Sequence, residues 1–212
     1  MAAGAHEPMR GIFPILVTPF DDAWQVDEES LRRLVDFQVE AGVHGLGLAL
    51  GSEITRLSEG ERACTAGTVV DQVDGRVPVV VNASAPSAQL ALRYARQADE
   101  AGADGLMFIP PGGGADTDAF FKRVADSVTL PIFIQDTGQA HVSAEEARTL
   151  ADAHETIQYI KVESPPTAVH VLEAVRKAGD RLVVFGGGGG NYLIEELNRG
   201  SSGTMPGCSD PA

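Results

Sequence analysis

The stretch EAGVHGL, residues 40–46, recurs as EAGADGL at residues 100–106. In both copies an amphipathic pattern ends at a glycine, Gly42 or Gly102, and a glycine at that position can take the left-handed conformation that stops a helix. A short apolar run begins within three residues of each glycine. The repeat therefore predicts a unit of helix, tight turn and buried strand that the chain uses more than once.

The same alternation extends along the chain in both directions from the repeat. Short apolar runs that predict strands occupy residues 12–17, 45–50, 77–81, 105–109, 131–135, 157–163, 182–185 and 203–206. Amphipathic patterns that predict helices lie between them at 28–41, 59–72, 88–101, 117–128, 144–153, 167–177 and 192–198. Two of these helices begin with a capping box, formed by Ser58 with Glu61 and by Ser143 with Glu146.

The strand candidates are nearly continuous apolar runs, a pattern typical of parallel strands buried on both faces. Eight such strands with seven helices between them predict an α/β protein with a (β/α)8 barrel. The alternative, an open doubly wound sheet, lacks the Gly-x-Gly-x-x-Gly that would follow its first strand. We expect a disordered leader at 1–10 and a single barrel domain at 11–212. Only residues 207–212 follow the last strand, which predicts a barrel cut short, without its eighth helix or any C-terminal helices.

Charge and cysteine content argue against several function classes. The formal net charge is −14, whereas nucleic acids and anionic membranes require a basic surface. No apolar run approaches the roughly 20 residues that span a bilayer. Cys64 and Cys208 are too few for a disulfide framework, and the five histidines lack metal-ligand spacing. We therefore expect a cytoplasmic protein that uses no metal and binds neither nucleic acid nor membrane.

Lys161 is the candidate reactive residue because it stands near the end of the apolar run at 157–163. Burying an ammonium group is costly, and a neutral lysine amine is a nucleophile that forms a Schiff base with a carbonyl compound. Period-two alternation places Tyr159, Lys161 and Glu163 on one face of the strand, which points into the barrel. By the same alternation Gln135 lies beside Lys161 on the neighbouring strand. The alternative is a solvent-exposed lysine at the end of an edge strand.

Three motifs add a family resemblance. They are GIFPILVTPF at 11–20, GSE at 51–53 with LS at 57–58, and YIK at 159–161. In this order they resemble the dihydrodipicolinate synthase / N-acetylneuraminate lyase family. The resemblance implies a class I aldolase barrel in a homotetramer, in which Lys161 holds a small-molecule 2-oxo acid as an imine. It implies no cofactor.

The resemblance carries over only part of the family's active site. The strand-five tyrosine, a proton relay in the family, falls at Gln135, and an amide can orient a water but cannot titrate. The paired threonines fall at Leu50 and Gly51, which leaves the backbone N–H groups of Gly51 and Ser52 as candidate ligands of the substrate carboxylate. The backbone at Met205 would line the same pocket.

The resemblance thus implies a Schiff-base-forming lyase, an aldolase or dehydratase, and the departures favour a relative that acts on a 2-oxo acid such as pyruvate or a 2-keto-3-deoxy sugar acid. Glu163 is the candidate for the missing proton chemistry, the alternative being a rim carboxylate that only pairs with Lys161. The arginine with which the synthases hold a distal carboxylate has no counterpart at 137–141, which counts against 4-hydroxy-tetrahydrodipicolinate synthase itself. Two further alternatives are a truncated non-catalytic barrel and a phosphate-sugar-binding barrel enzyme that uses the glycine run at 186–190.

Overall fold

The structure, a computed structural model, describes residues 7–112 and 115–207. The strands are β1 Gly11–Ile12, β2 Leu46–Leu48, β3 Val79–Asn82, β4 Gly105–Phe108, β5 Ile132–Asp136, β6 Ile157–Val162, β7 Val183–Gly186 and β8 Gly203–Thr204. The α-helices are α1 Glu28–Glu40, α2 Glu59–Val73, α3 Ala88–Glu100, α4 Ala115–Ala125, α5 Ala144–Ala153, α6 Thr167–Ala178 and α7 Leu193–Leu197. Two 3-10 turns, Leu50–Ser52 and Gly188–Gly190, follow β2 and β7.

The strands form one closed parallel barrel. They pair in the order β1-β8-β7-β6-β5-β4-β3-β2. The two ends of this series meet, because the Gly47 N–H donates to the Pro14 carbonyl at 2.9 Å and the Leu16 N–H donates to the Gly47 carbonyl at 3.0 Å. The predicted (β/α)8 barrel is therefore confirmed over the open sheet. No helix follows β8 among the described residues, and residues 208–212 lie outside them.

Alternation along the strands divides the apolar side chains between two clusters. The inner cluster fills the barrel, where the Phe133 and Tyr159 rings stack at 4.2 Å and the Phe13 and Phe185 rings meet edge to face at 5.4 Å. The outer cluster joins the other face of each strand to the helices. Each large side chain that is fully removed from water contributes about 1.5–3 kcal/mol. Packing of both faces explains why the strands are apolar throughout rather than alternating with polar residues.

The predicted local signals hold at the helix ends. Ser58 and Ser143 cap α2 and α5 in complete capping boxes. Gly42 and Gly102 have φ of +83° and +91°, so both copies of the repeat end a helix as expected. The first strand is shorter than the predicted 12–17, because Pro14 has no N–H to give to a ladder. Beyond Ile12 the pairing continues through the N–H groups of Phe13 and Ile15, which donate to the Thr204 and Pro206 carbonyls at 3.0 Å and 2.8 Å. Ile15 also forms a bridge to Gly47.

The N-terminal opening of the barrel is covered by Met9, which packs against the inner cluster. Its backbone N–H donates to the Tyr159 hydroxyl at 3.1 Å.

Residues 1–6 of the predicted disordered leader lie outside the described residues, and the disorder there stays a prediction. Cys64 is a free, partly buried thiol, and Cys208 lies outside the described residues. Within 7–112 and 115–207, no helix has the length and apolar character needed to cross a membrane.

Candidate active site

Lys161 lies inside the barrel near the carboxyl end of β6. Its side chain is 3 % exposed. β6 pairs with β5 on one side and β7 on the other, and Lys161 is in register with Gln135 and Phe185. An edge-strand lysine is therefore the wrong interpretation, because β6 has no free edge and the amine is enclosed by protein.

Glu163 is the partner of this buried amine. Its Oε1 lies 3.0 Å from Lys161 Nζ. Its Oε2 accepts a hydrogen bond of 2.6 Å from Gln135 Nε2. The Glu163 N–H donates to the Asp136 carbonyl at 2.9 Å, which extends the β5–β6 pairing beyond the end of the strand. The three residues predicted to carry the chemistry therefore stand together, and an amine beside a carboxylate can exchange a proton with it directly.

Asn82 belongs to the same group but was not singled out from the sequence. It is fully buried at the end of β3, and its Nδ2 donates to Gln135 Oε1 at 2.8 Å. The two residues are 53 positions apart and on strands that are not neighbours, so the contact crosses the barrel interior. The sequence did contain one indication of this role, because Asn82 is an amide at the end of an apolar strand. A polar side chain buried there requires a hydrogen-bond partner.

The predicted carboxylate-binding residues surround the 3-10 turn after β2. Ser52 is fully buried, and its hydroxyl donates to the Leu16 carbonyl. The Ser52 N–H donates to the Ala49 carbonyl at 3.0 Å, which closes the turn. Ser52 therefore anchors the turn, whereas the Gly51 N–H, at the second position of the turn, has no acceptor within it. Substrate binding by Gly51 and Ser52 stays a prediction.

Met205 is fully buried in the inner cluster. Its N–H donates to the Gly186 carbonyl at 3.0 Å, so this backbone donor is engaged within the barrel wall. Lining of the oxo-acid pocket by the Met205 backbone stays a prediction.

A cavity of about 540 Å³ opens at the carboxyl ends of β2, β4 and β5. Thr137 in its wall follows Gln135 by two residues, whereas Lys161, Gln135 and Glu163 are not among its described lining. The lining residues are neutral: Leu50, Ile109, Pro110, Pro111, Thr137, Gly138, Gln139 and Ala140. A ligand portion in this cavity thus meets backbone, hydroxyl and amide groups among its described lining, without a cationic side chain.

The glycine run after β7 accommodates two carboxylates on opposite sides of the backbone. A Cβ at Gly187 would lie 2.4 Å from Glu163 Cγ, and a Cβ at Gly186 would lie 1.7 Å from a Glu196 carboxylate oxygen. Gly188, Gly189 and Gly190 have positive φ in the turn that follows. A phosphate at this run would face two acidic side chains, so the geometry disfavours the predicted phosphate alternative.

Glu196 is a fully buried carboxyl close to Glu163. Its side chain is fully buried, and its oxygens have no hydrogen-bond partner among the described residues. Burial raises the pKa of Glu196 above its ordinary value of 4.5 and outweighs the lowering effect of the nearby Thr167 hydroxyl, and the charges of Glu163 and Glu195 act in the same direction as burial. Its position against Gly186 could not be inferred from a helical pattern, because α7 has only five residues.

Three side chains have atoms close enough together to hold a metal ion. One ligand atom from each of Asp136, His141 and His170 lies within 4.8 Å of the other two. The sequence spacing did not show this group, because α6 and the loop after β5 supply the two histidines. The Ser164 hydroxyl contacts all three side chains: it donates to Asp136 and lies 3.0 Å and 2.9 Å from the Nδ1 atoms of His141 and His170. A protein hydroxyl thus occupies the point on which these groups converge.

Comparison with known proteins gives one consistent assignment. The sequence model of the dihydrodipicolinate synthetase family matches residues 8–210. L-2-keto-3-deoxyarabonate dehydratase of Azospirillum brasilense is 35 % identical over an alignment of 223 positions, gaps included, which covers 100 % of this chain and 72 % of that protein. 4-hydroxy-tetrahydrodipicolinate synthase of Pelobacter propionicus is 33 % identical over 187 residues, covering 84 % of this chain and 63 % of that protein.

The fold agrees with a solved structure from the same group. The crystal structure of YagE, a prophage protein of the dihydrodipicolinic acid synthase family from E. coli K12 in complex with pyruvate, superposes with a TM-score of 0.86 at 30 % identity. The match covers 93 % of this chain and 69 % of that chain.

Proposed function

This chain belongs to the dihydrodipicolinate synthetase family, and from that membership we propose that it is a Schiff-base-forming lyase, an aldolase or dehydratase, acting on a small 2-oxo acid. The observation that carries the proposal is the buried Lys161 amine at 3.0 Å from Glu163, at the carboxyl end of a barrel strand. Barrel enzymes collect their chemistry at that end. A buried amine with an adjacent proton acceptor is the arrangement of an imine-forming nucleophile.

The geometry supports a sequence of proton transfers between the two side chains. Glu163 takes a proton from the Lys161 ammonium, and the freed amine adds to the C2 carbonyl of the oxo acid. Loss of water then leaves an iminium ion, which withdraws electrons from the bonds at C3. The proton on Glu163 leaves with that water, so the carboxylate can remove a C3 proton and return it to the C4 hydroxyl group, which the resulting enamine expels as water. In an aldol cleavage the Glu163 carboxylate instead takes the C4 hydroxyl proton as the C3–C4 bond breaks, which releases an aldehyde and leaves an enamine on Lys161. Gln135 cannot titrate, so it positions Glu163 rather than exchanging protons.

The surroundings favour a sugar-derived substrate. We propose that the Gly51 N–H binds the substrate carboxylate next to the C2 carbonyl. The neutral lining of the 540 Å³ cavity suits a hydroxylated distal end better than a second carboxylate. The relative from A. brasilense is named for a 2-keto-3-deoxy sugar acid. We therefore propose a 2-keto-3-deoxy sugar acid as substrate, with 4-hydroxy-tetrahydrodipicolinate synthesis as the second candidate because of the 33 % identical synthase.

Reductive trapping tests the covalent step. Incubation with pyruvate and borohydride, followed by peptide mass spectrometry, is expected to label Lys161. The chain has only three lysines, and Lys177, which is exposed and paired with Glu145 at 2.9 Å, is the matched internal control that stays unlabelled. A folded sample that gives no Lys161 adduct with pyruvate or with five- and six-carbon 2-keto-3-deoxy acids would refute the proposal. A substrate panel in Lys161→Ala is expected to show no turnover.

Assembly and location complete the proposal. We propose a homotetramer in the cytoplasm, on the basis of the family resemblance and the scarcity of cysteines. Exposed apolar side chains such as Trp24, 81 % exposed, and Ile194, 65 % exposed, support burial of further surface between copies. Analytical ultracentrifugation tests this, and a monomer at micromolar concentration would contradict it.

A further inference from the structure

A chain of three hydrogen bonds leads from the backbone to the Glu163 carboxylate. The Ser84 N–H donates to Asn82 Oδ1 at 2.9 Å. Asn82 Nδ2 donates to Gln135 Oε1 at 2.8 Å. Gln135 Nε2 donates to Glu163 Oε2 at 2.6 Å. We call this chain the amide relay, and both of its amide side chains are fully buried.

The direction of the amide relay is determined at both ends. A backbone N–H is always a donor, so the Asn82 oxygen must face Ser84 and its NH2 group must face Gln135. A carboxylate is only an acceptor, so the Gln135 NH2 group must face Glu163 and its oxygen must face Asn82. The two requirements agree. Reversing either amide would place two acceptors or two donors against each other, and both amide side chains are fully buried, so water does not compensate for the mismatch between them.

Asn82 is itself held in place by a buried arginine. The Arg62 guanidinium is 6 % exposed and donates to the Asn82 carbonyl at 2.9 Å and to the Ile54 carbonyl. It also lies 3.9 Å from the centre of the Tyr94 ring. These contacts fix the backbone from which the Asn82 side chain projects. The start of the amide relay is therefore rigid before any substrate binds.

We propose that Asn82 is a positioning residue, which fixes the orientation of the Gln135 amide and thereby keeps Glu163 an ionised acceptor next to Lys161. The inference rests on the proposed proton transfer by Glu163. Without the Asn82 NH2 group, the Gln135 amide could turn and present its oxygen to the carboxylate. Glu163 would then be stabilised in its protonated form, which cannot take a proton from Lys161.

The variant Asn82→Asp reverses the relay with almost no change of shape. One aspartate oxygen still accepts from Ser84, and the other faces the Gln135 oxygen, so the Gln135 amide turns over. A hydrogen bond to a charged group is worth about one to two factors of ten. We expect kcat at pH 7 to fall roughly 10- to 100-fold with KM little changed, and the acidic side of the pH–rate profile to move upward by about 1 to 2 pH units.

A double-mutant cycle that combines Asn82→Asp with Gln135→Met separates an effect transmitted through the amide relay from a direct effect of the added charge on Glu163. If Asn82 acts through Gln135, the shift caused by Asn82→Asp disappears in the Gln135→Met background. A shift that persists there, or no shift in the single variant, overturns the proposal. Should Asn82→Asp not fold, Asn82→Ala replaces it: a several-fold loss of kcat that vanishes with Gln135→Met supports the relay, and an unchanged kcat overturns it.

Borohydride trapping distinguishes this inference from the function on which it rests. The wild-type chain and the Asn82 variants are expected to give the Lys161 adduct at pH 9, well above the acidic side of the pH–rate profile on which the amide relay acts. Failure of the wild-type chain to give the adduct refutes the proposed function. Normal trapping by all variants with unaltered pH profiles refutes only the relay.

Discussion

Replacing Glu163 with glutamine removes the negative charge beside Lys161 and keeps the size of the side chain. The amine is 3 % exposed, and its partner is at 3.0 Å. Two unit charges at this distance attract by about 5.5 kcal/mol at an effective dielectric constant of about 20. Leaving one member of a buried pair without its partner costs about 3–5 kcal/mol. That range is a large part of the 5–15 kcal/mol that stabilises a typical domain.

Loss of the proton from the amine limits this cost. A lysine in the unfolded chain releases its proton near pH 10.4, so keeping a lysine neutral costs about 4.6 kcal/mol at pH 7 and about 1.9 kcal/mol at pH 9. The folded Glu163→Gln variant will take the cheaper of the two states. We therefore expect its free energy of unfolding to be about 3–4.6 kcal/mol below that of the wild type at pH 7, and less than about 2 kcal/mol below it at pH 9.

Urea denaturation followed by circular dichroism at both pH values measures this difference. The matched control is Glu53→Gln, which removes an exposed carboxylate paired with Arg56 at 3.5 Å and should change stability by less than about 0.5 kcal/mol. The double variant Lys161→Met/Glu163→Gln removes both charges and should recover most of the loss. Equal losses at pH 7 and pH 9, or a double variant no more stable than Glu163→Gln, would refute the reasoning.

Two further predictions concern the glycine run. Because burial raises the pKa of Glu196 above 4.5, this carboxyl holds its proton longer in the folded chain than in the unfolded chain, so the contribution of Glu196 to stability falls as the pH rises above 4.5. The Glu196→Gln variant lacks this titrating group, so its free energy of unfolding, measured by urea titration, should increase relative to that of the wild type as the pH rises above 4.5. A variant that is less stable than the wild type at pH 7 would contradict this. Gly187→Ala places a Cβ 2.4 Å from Glu163 Cγ and should reduce kcat by about 100-fold through displacement of that carboxylate. Gly67→Ala, where the added Cβ meets nothing within 4 Å, is the matched control and should keep full activity, whereas equal activity of the two variants would count against the role of Glu163.

Much of the candidate site was accessible from the sequence because strands alternate. The inward direction of Lys161, Gln135 and Glu163 follows from the alternation of side chains along a strand. The outward face packs on the helices and must be apolar, so the polar side chains lie on the inward face. The order of the strands in the barrel was predictable, because a crossover helix joins each parallel strand to the next one in the sequence and places the two side by side. The contact between Lys161 and Gln135 was therefore predictable once β5 and β6 were neighbours, and the register confirms it.

Contacts between elements that are not neighbours were not predictable in this way. Asn82 reaches Gln135 across the barrel, and Glu196 reaches Gly186 from outside the wall. No periodicity relates such residues, because their separation depends on barrel closure and on helix packing. For the same reason the cluster of Asp136, His141 and His170 around Ser164 was not predicted from the sequence. Its residues come from the end of β5, the loop after it and the helix after β6.

The sequence by itself determined the barrel and the inward placement of Lys161, because hydrophobic periodicity, glycine stops and capping residues act over a few neighbouring positions. It also indicated Glu163 as the candidate for the proton transfers that a tyrosine at the position of Gln135 performs in the family. Only the tertiary structure decided how Glu163 is held: an amide relay fixes one oxygen, Lys161 contacts the other, and Gly187 leaves room for the side chain. Hydrogen-bond direction and close approach depend on distances of a few tenths of an ångström between distant parts of the chain, and such distances exist only in the folded barrel.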